Sequence, residues 1–243
     1  MRFIFLFLFI PFLLFSQHNN YNKHQNWTLY KYYSYYLKKK PKDIIDFFFI
    51  KSDIDNKKIA ITFDDGPHRN SELIINYLLE ENVPATFFLV AEKINDSNIL
   101  LYQDSLFELG MHTFSHLDYT ELSKQEKEND ISKCIQFFKK FNISSDYFRP
   151  AYGIIDSDIV EILKNNNLKG VLWSLDALDW NGYRKKKIIN HVVENIDNGS
   201  VILFHDRIDI LDLKEIIKEI KLKGFSIVSL RELINSNANL IEE

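Results

Sequence analysis

The sequence predicts an α/β fold built on a parallel β-sheet, either open or closed into a barrel. From Lys57 onward, short apolar segments alternate with amphipathic segments, which is the pattern of strand–helix repeats. Ionisable residues follow several of the apolar segments, as expected where strands end at a ligand site. With 243 residues, of which 46% are hydrophobic, the chain can bury one sizeable core.

The predicted helices combine apolar residues at three- and four-residue spacing with residues typical of helix ends. Asn70 and Ser123 each precede such a segment, and both residue types favour the N-cap position. Gly110 is typical of a helix C-terminus and is expected to close the second helix. The predicted helices cover 71–81, 99–109, 124–141, 155–165, 185–196 and 211–222.

The predicted strands are the short apolar segments between these helices. The first one ends sharply at Gly66-Pro67. The predicted strands cover 58–63, 85–90, 147–148, 170–175, 201–204 and 225–228. Strands that alternate with helices pair in parallel, so their carboxyl ends meet at one edge of the sheet.

Composition excludes several classes of function. The net charge of −4 and the interspersed lysines and acids give no basic groove, so no nucleic-acid partner is expected. The single cysteine, Cys134, excludes an internal disulfide framework and a cysteine-cluster metal site. Because Cys134 lies in a helical apolar pattern, we expect a buried, unreactive thiol.

The N-terminus resembles an export signal. Met1-Arg2 precedes an apolar run from Phe3 to Phe15, and a polar segment begins at Ser16. This run is shorter than the roughly 20 apolar residues of a membrane span. We expect a signal peptide over residues 1–16 and a periplasmic or extracellular protein without a stable membrane span. A membrane-anchored form remains the alternative if the signal is not cleaved.

Residues 17–56 form a polar and then tyrosine-rich extension without a clear period. We expect this extension to pack against the domain that follows. An aromatic surface for sugars is the alternative.

Ionisable or polar groups stand at five positions that we interpret as strand exits. In parallel α/β folds, ligands bind at the carboxyl ends of strands. The groups are Asp64-Asp65, His112 with His116, residues 149–153, residues 176–180 and His205-Asp206.

The segment "HTFSH" and the adjacent acids predict a metal site. His112 and His116 are four residues apart and can face the same way, although a surface pair is also common. With Asp65 they form an Asp-His-His set with open positions, which is typical of a catalytic zinc site. Asp64 would then lie close to a water molecule bound to the metal and could act as a general base that accepts its proton. Alternatively, both acids cap the turn at Gly66.

Five motifs in order resemble the NodB-type polysaccharide deacetylases, the fourth family of carbohydrate esterases. They are "TFDDG" at 62–66, "HTFSH" at 112–116, "RPAYG" at 149–153, "DALDW" at 176–180 and "LFH" at 203–205. The resemblance covers residues 57–235 and leaves 236–243 as a C-terminal tail. It implies a distorted, incomplete (β/α) barrel. Ala151 departs from the family, which often has a second proline there.

The resemblance also implies a role for each motif residue. Asp64 would be the general base, and Asp65, His112 and His116 would bind a divalent metal. His205 would be the general acid, and Asp179 would orient it. Arg149 would pair with the base and fix its position. The Tyr152 backbone N–H would stabilise the oxyanion, and Trp180 and Leu203 would enclose the acetyl methyl group.

The implied reaction is removal of N-acetyl groups from an N-acetylhexosamine polysaccharide by a monomeric enzyme. Peptidoglycan is the first expected substrate, with chitooligosaccharides and O-acetylated xylan as alternatives. Zinc is the expected metal, and cobalt, nickel or manganese also suit this donor set. A catalytically silent wall-binding protein on the same fold is the alternative from another class.

Overall fold

The structure is a computed structural model that describes residues 36–182 and 185–238. The chain divides into two units, Met1–Lys39 and Lys40–Glu243, and every element below belongs to the second. The predicted signal peptide and residues 17–35 of the predicted extension lie outside the described residues.

One parallel sheet organises the described residues of the second unit. The strands are β1 Phe48–Phe49, β2 Lys58–Gly66, β3 Ala85–Leu89, β4 Phe107–Met111, β5 Tyr147–Phe148, β6 Lys169–Val171, β7 Leu175–Asp176, β8 Val201–His205 and β9 Ser226–Ile227. Along the sheet they follow the order β1-β6-β5-β4-β3-β2-β8-β7, and β9 also pairs with β2. All of these pairings are parallel.

The short connection between β6 and β7 shows that this sheet curls into an incomplete barrel. The two strands lie near opposite ends of the strand order. Yet only Leu172, Trp173 and Ser174 separate them. An extended chain spans at most about 3.6 Å per residue, so the two ends of the sheet must lie within roughly 14 Å of each other. The expected α/β fold with an incomplete (β/α) barrel is confirmed.

Five predicted helices are confirmed with ends close to the predicted positions: Ser71–Glu80, Lys124–Lys140, Ser157–Asn165, Lys185–Asn195 and Ile210–Leu222. The helices Lys42–Ile45 and Leu230–Ala238 were not predicted. Ser123 caps its helix through a capping box, in which it exchanges hydrogen bonds with Glu126. On that helix Cys134 is fully buried, as expected.

The predicted helix over 99–109 is wrong. A 3-10 turn covers Ile99–Tyr102, and Phe107–Met111 forms strand β4. Gly110 therefore lies inside a strand, where a Cβ atom would approach the Phe88 ring to 2.4 Å. The glycine is required by the ring on the neighbouring strand, which the local sequence does not reveal.

The predicted strand over 170–175 is also wrong, because it is two strands at different places in the sheet. β6 pairs with β1 and β5, whereas β7 pairs with β8. The continuous apolar run reads as one strand because its connecting residues Leu172 and Trp173 are buried as well.

The core lies between the sheet and the surrounding helices. Strand β2 pairs with β3, β8 and β9, and Ile59, Ile61 and Phe63 on it are completely buried. Strand β1, within the predicted extension, pairs with β6 and adds to the sheet. Among residues 36–182 and 185–238, no helix has both the length and the apolar character that a membrane crossing requires.

Replacing Gly110 by alanine is expected to destabilise the protein. The new methyl group would collide with the Phe88 ring, and such overpacking lowers the free energy of unfolding by about 1–3 kcal/mol. Urea denaturation would measure this loss. The control is Leu73→Ala: Leu73 is 57% exposed, so its truncation should change stability by less than about 0.5 kcal/mol. Equal stability of Gly110→Ala and the wild type would contradict this packing.

Candidate metal and catalytic site

The carboxyl edge of the sheet brings the predicted site residues together. Asp64 and Asp65 lie at the end of β2, and His112 directly follows β4. Arg149 directly follows β5, and His205 ends β8 beside Asp64 in the register. Residues far apart in the sequence thus meet at one edge, as parallel pairing requires.

Asp64 is held by a buried ion pair with Arg149. The Arg149 Nη1 donates to the Asp64 Oδ1 at 2.7 Å, and the arginine side chain is completely buried. The second oxygen of Asp64 lies 3.6 Å from the His112 Nε2. The carboxylate is therefore fixed with one oxygen bound to Arg149 and the other directed toward His112.

The Arg149 guanidinium is itself fixed on several sides. Its nitrogens donate to the Thr62 hydroxyl at 2.8 Å and to the carbonyl oxygens of Val171 and Leu172 at 3.3 and 2.8 Å. Its Cζ lies 4.0 Å from the centre of the Phe88 ring. These contacts supply the desolvated cation with acceptors and an aromatic face. They also join the guanidinium to the connection between β6 and β7.

Asp65, His112 and His116 could hold a metal ion. Their donor atoms lie within 4.8 Å of one another. The Asp65 Oδ1 is 3.0 Å from the His116 Nε2 and 3.6 Å from the His112 Nε2. One carboxylate and two imidazoles suit zinc and leave positions for water and substrate.

The protonation of these residues suits metal binding. Burial raises the pKa of Asp65, but hydrogen bonds with His112 and His116 outweigh it and hold the pKa well below its ordinary value. Burial lowers the pKa of His116 below its ordinary value. A carboxylate and a neutral imidazole are the forms that bind metal. The His112 Nδ1 lies 2.9 Å from the Arg149 carbonyl oxygen, which fixes the tautomer that directs Nε2 to the site.

Unusual backbone conformations cluster at this site. Asp65, Thr113, His116 and Tyr152 have φ angles of 70°, 66°, 56° and 58°, in the left-handed region that disfavours non-glycine residues. Such conformations persist only where the surroundings impose them, and they concentrate at functional sites. The two histidines thus face the same way through strained turns and not through a helix.

Asp130 holds the histidine loop, and sequence reasoning missed it. Its buried carboxylate accepts hydrogen bonds from the Phe114 N–H at 3.0 Å, the Ser115 hydroxyl at 3.2 Å and the Tyr119 hydroxyl at 2.7 Å. The available signal was an acid on the buried face of the helix Lys124–Lys140. Asp130 therefore fixes the loop that carries both histidines.

His205 and Asp179 form a second charged pair. The Asp179 Oδ1 lies 2.9 Å from the His205 Nδ1, and its Oδ2 accepts from the His205 backbone N–H at the same distance. Burial lowers the pKa of His205, but the Asp179 carboxylate outweighs it and raises the pKa to about 9. The imidazole is therefore protonated at neutral pH and can donate a proton.

The other predicted residues lie around these pairs. Leu203 is buried and lies two residues before His205 on β8, so both side chains leave the same face of the strand. The Trp180 Nε1 donates to the Asp176 carboxylate at 3.2 Å. Tyr152 is 38% exposed, and its ring centre lies 4.6 Å from that of His116.

Asp206 supports the turn that carries the aspartates. Its Oδ2 accepts from the Ser71 and Tyr102 hydroxyls at 2.6 and 2.9 Å. Burial raises the pKa of Asp206 to about 6. A Cβ atom at Gly66 would lie 2.2 Å from the same oxygen, so only glycine fits beside it.

Comparison with known proteins places the chain among polysaccharide deacetylases. The sequence model of the polysaccharide deacetylase family matches residues 51–171. A peptidoglycan-N-acetylglucosamine deacetylase of Bacillus cereus is 33% identical over 190 residues, 74% of this chain and 89% of that protein. A chitooligosaccharide deacetylase of Azorhizobium caulinodans is 32% identical over 158 residues, which cover 63% and 75% of the two chains.

A solved structure shares the fold. The crystal structure of the Bc1960 peptidoglycan N-acetylglucosamine deacetylase, in complex with a naphthalenyl N-oxidanyl-benzamide, matches with a TM-score of 0.74. The two sequences are 28% identical, and the match covers 80% of this chain and 96% of that one.

Removing the Asp130 carboxylate is expected to weaken metal binding. Asp130→Ala frees the loop that carries His112 and His116, and loss of such a supporting group lowers metal affinity by about 10- to 100-fold. Equilibrium dialysis with zinc would measure the affinity. Glu128→Gln is the control, because Glu128 lies exposed on the same helix. Unchanged affinity in a folded Asp130→Ala variant would show that the loop does not depend on this acid.

Proposed function

The chain belongs to the polysaccharide deacetylase family, and we propose that it removes N-acetyl groups from an N-acetylhexosamine polysaccharide. One observation carries this proposal: Asp64, held by Arg149, lies beside the Asp65–His112–His116 set at the same sheet edge as a protonated His205. This arrangement supplies a base, a metal site and an acid for hydrolysis of an amide.

Peptidoglycan is the proposed substrate, specifically its N-acetylglucosamine. The most similar relatives described above are peptidoglycan-N-acetylglucosamine deacetylases by name. A chitooligosaccharide is the second candidate, because one relative is a chitooligosaccharide deacetylase. Acetylated xylan is the third, and its ester would be cleaved by the same groups.

The donor set fits zinc, with Asp65, His112 and His116 as the proposed ligands. When bound, a divalent metal polarises the substrate carbonyl and makes water more acidic. Cobalt, nickel and manganese also suit these donors.

The proposed base and acid complete the proton transfers. As the water oxygen bonds to the acetyl carbon, Asp64 accepts the proton of the water, and Arg149 keeps the carboxylate in place. As the carbon–nitrogen bond breaks, protonated His205 gives its proton to the leaving nitrogen. The products are acetate and a free amine on the sugar. Asp179 keeps His205 oriented and charged.

Further groups are proposed to bind the acetyl group. The Tyr152 backbone N–H would donate to the developing oxyanion, and Trp180 and Leu203 would enclose the methyl group. We propose residues 57–235 as the catalytic domain, residues 17–56 as its extension and 236–243 as a tail. A signal over residues 1–16 would export the enzyme to the wall.

Acetate release tests this function directly. The purified protein, given zinc, should release acetate from peptidoglycan, and a chelator should stop the release. Chitotetraose and acetylated xylan are the comparison substrates. Release from xylan alone would make the protein an ester hydrolase. No release from any substrate by fully metal-loaded protein would favour the silent wall-binding alternative.

Asp64→Asn is expected to reduce acetate release at least about 100-fold, because an amide cannot accept the proton of the water. Zinc content should stay close to that of the wild type, since Asp64 is not a proposed ligand. Asp146→Asn is a matched control, because Asp146 precedes β5 at the opposite edge of the sheet. Near wild-type release by Asp64→Asn would refute its role as the base.

Asp179→Asn is expected to change the pH dependence of the reaction. Protonated His205 is required, so wild-type kcat/KM should fall as the pH rises through about 9. Without the Asp179 carboxylate, the pKa of His205 moves back toward the ordinary value of 6.5, and the fall should begin at lower pH. A pH–rate profile on chitotetraose measures this shift. If kcat/KM falls at the same alkaline pH in Asp179→Asn and in the wild type, His205 is excluded as the acid whose titration causes the fall.

A further inference from the structure

Three exposed basic residues lie at the sheet edge that carries the proposed metal ligand Asp65. Arg69, Lys93 and Arg207 lie in the connections that follow β2, β3 and β8. These three strands are neighbours in the sheet, so the connections leave the same edge side by side. We call these three residues the cationic rim. The sequence motifs did not indicate any of them.

The contacts of Arg207 and Lys93 place their charges next to the site. The Arg207 Nη2 lies 3.3 Å from the Asp65 Oδ2, the carboxylate oxygen that does not face His116. The Lys93 Nζ donates to the Asp65 carbonyl oxygen at 2.9 Å. Burial and then the positive charges of Arg69, Arg207 and Lys93 hold the pKa of the neighbouring His68 below its ordinary value.

Of the cationic rim, Arg207 pairs with a carboxylate of the site, that of Asp65. Asp64 is paired with Arg149, and Asp179 is paired with His205. Lys93 binds a carbonyl oxygen, which neutralises no charge. Within the described ranges, 36–182 and 185–238, neither Lys93 nor Arg69 forms a salt bridge with a carboxylate. Their charges therefore remain available to a ligand.

The rim also contrasts with the charge of the whole chain. The protein carries a formal net charge of −4, so general basicity does not explain three cations at one point. A local cluster of one sign creates a potential that concentrates oppositely charged ligands. Its position at the sheet edge makes the arriving substrate the natural partner.

We propose that Arg69, Lys93 and Arg207 select acetylated glycans that carry carboxylates close to the acetamido sugar. This proposal rests on the proposed function and refines it. The carboxylate would bind at the rim while the acetamido group of a neighbouring sugar enters the site. A glycan with lactyl or peptide carboxylates beside its acetylated amino sugar has this chemistry, whereas chitin-type oligosaccharides are neutral.

The test compares substrates that differ only in charge. One is a peptidoglycan tetrasaccharide with free lactyl carboxylates, and the second is the same tetrasaccharide with those carboxylates converted to methylamides. Chitotetraose is the neutral reference. For each, kcat/KM is measured by acetate release at low and high salt. Binding of the first two to the inactive Asp64→Asn variant is measured by calorimetry.

The variants are Arg207→Gln, Arg69→Gln and Lys93→Met, with Lys169→Gln as the control. Lys169 is also an exposed cation, but it begins β6 at the opposite edge of the sheet. An exposed charge pair contributes up to about 1 kcal/mol, which is about fivefold in kcat/KM. For each rim variant, the kcat/KM on the carboxylate tetrasaccharide divided by the kcat/KM on the methylamide tetrasaccharide should fall by up to about fivefold relative to the wild type. Circular dichroism and thermal denaturation show that each variant is folded, and turnover of chitotetraose measures any loss that does not depend on substrate charge.

The expected result is a wild-type preference for the carboxylate substrate, in kcat/KM and in affinity, that weakens with salt and with each rim substitution. Salt should weaken it because exposed charges are screened. An equal loss on charged and neutral substrates would assign the rim a structural role and overturn the proposal. A wild-type preference for the amidated glycan would also overturn it. No acetate from any of the three glycans would instead overturn the proposed function, and the rim proposal with it.

Discussion

The buried ion pair between Asp64 and Arg149 is the constraint on which the site depends. Burying two charges is costly unless both are fully hydrogen-bonded, and removal of one partner typically costs about 3–5 kcal/mol. Arg149 meets this requirement with bonds to β2 and to the connection between β6 and β7. The same bonds hold the two ends of the curled sheet near the aspartates. The side chain that links the ends of the curled sheet therefore also fixes the Asp64 carboxylate.

This constraint explains why two adjacent aspartates end a buried strand. Asp64 continues the strand and points its carboxylate to Arg149 inside the barrel. Asp65 adopts a left-handed φ of 70° and turns its carboxylate toward the two histidines. Gly66 follows because the carboxylate of Asp206 occupies the space of a side chain. The two adjacent carboxylates therefore face different partners, as the proposed division into a base and a metal ligand requires.

Local pattern predicted those parts of the fold that local forces decide. The strand over 58–63, the helix capped by Ser123 and the polar strand exits were all recognisable from spacing and residue type. Long-range contacts decided the rest. From the sequence, Gly110 resembles a helix end; only the contact with the Phe88 ring on the neighbouring strand β3 explains the glycine. Asp130 resembles a surface acid until the histidine loop packs against it.

The most direct test of this account is a crystal structure of the zinc-loaded protein with anomalous diffraction at the zinc edge. We predict one peak about 2.0–2.2 Å from Asp65, His112 and His116. Asp64 should lie outside this coordination distance and keep its bond of 2.7 Å to Arg149. Zinc bound by Asp64, or a peak away from these three residues, would contradict the division of roles between the two aspartates.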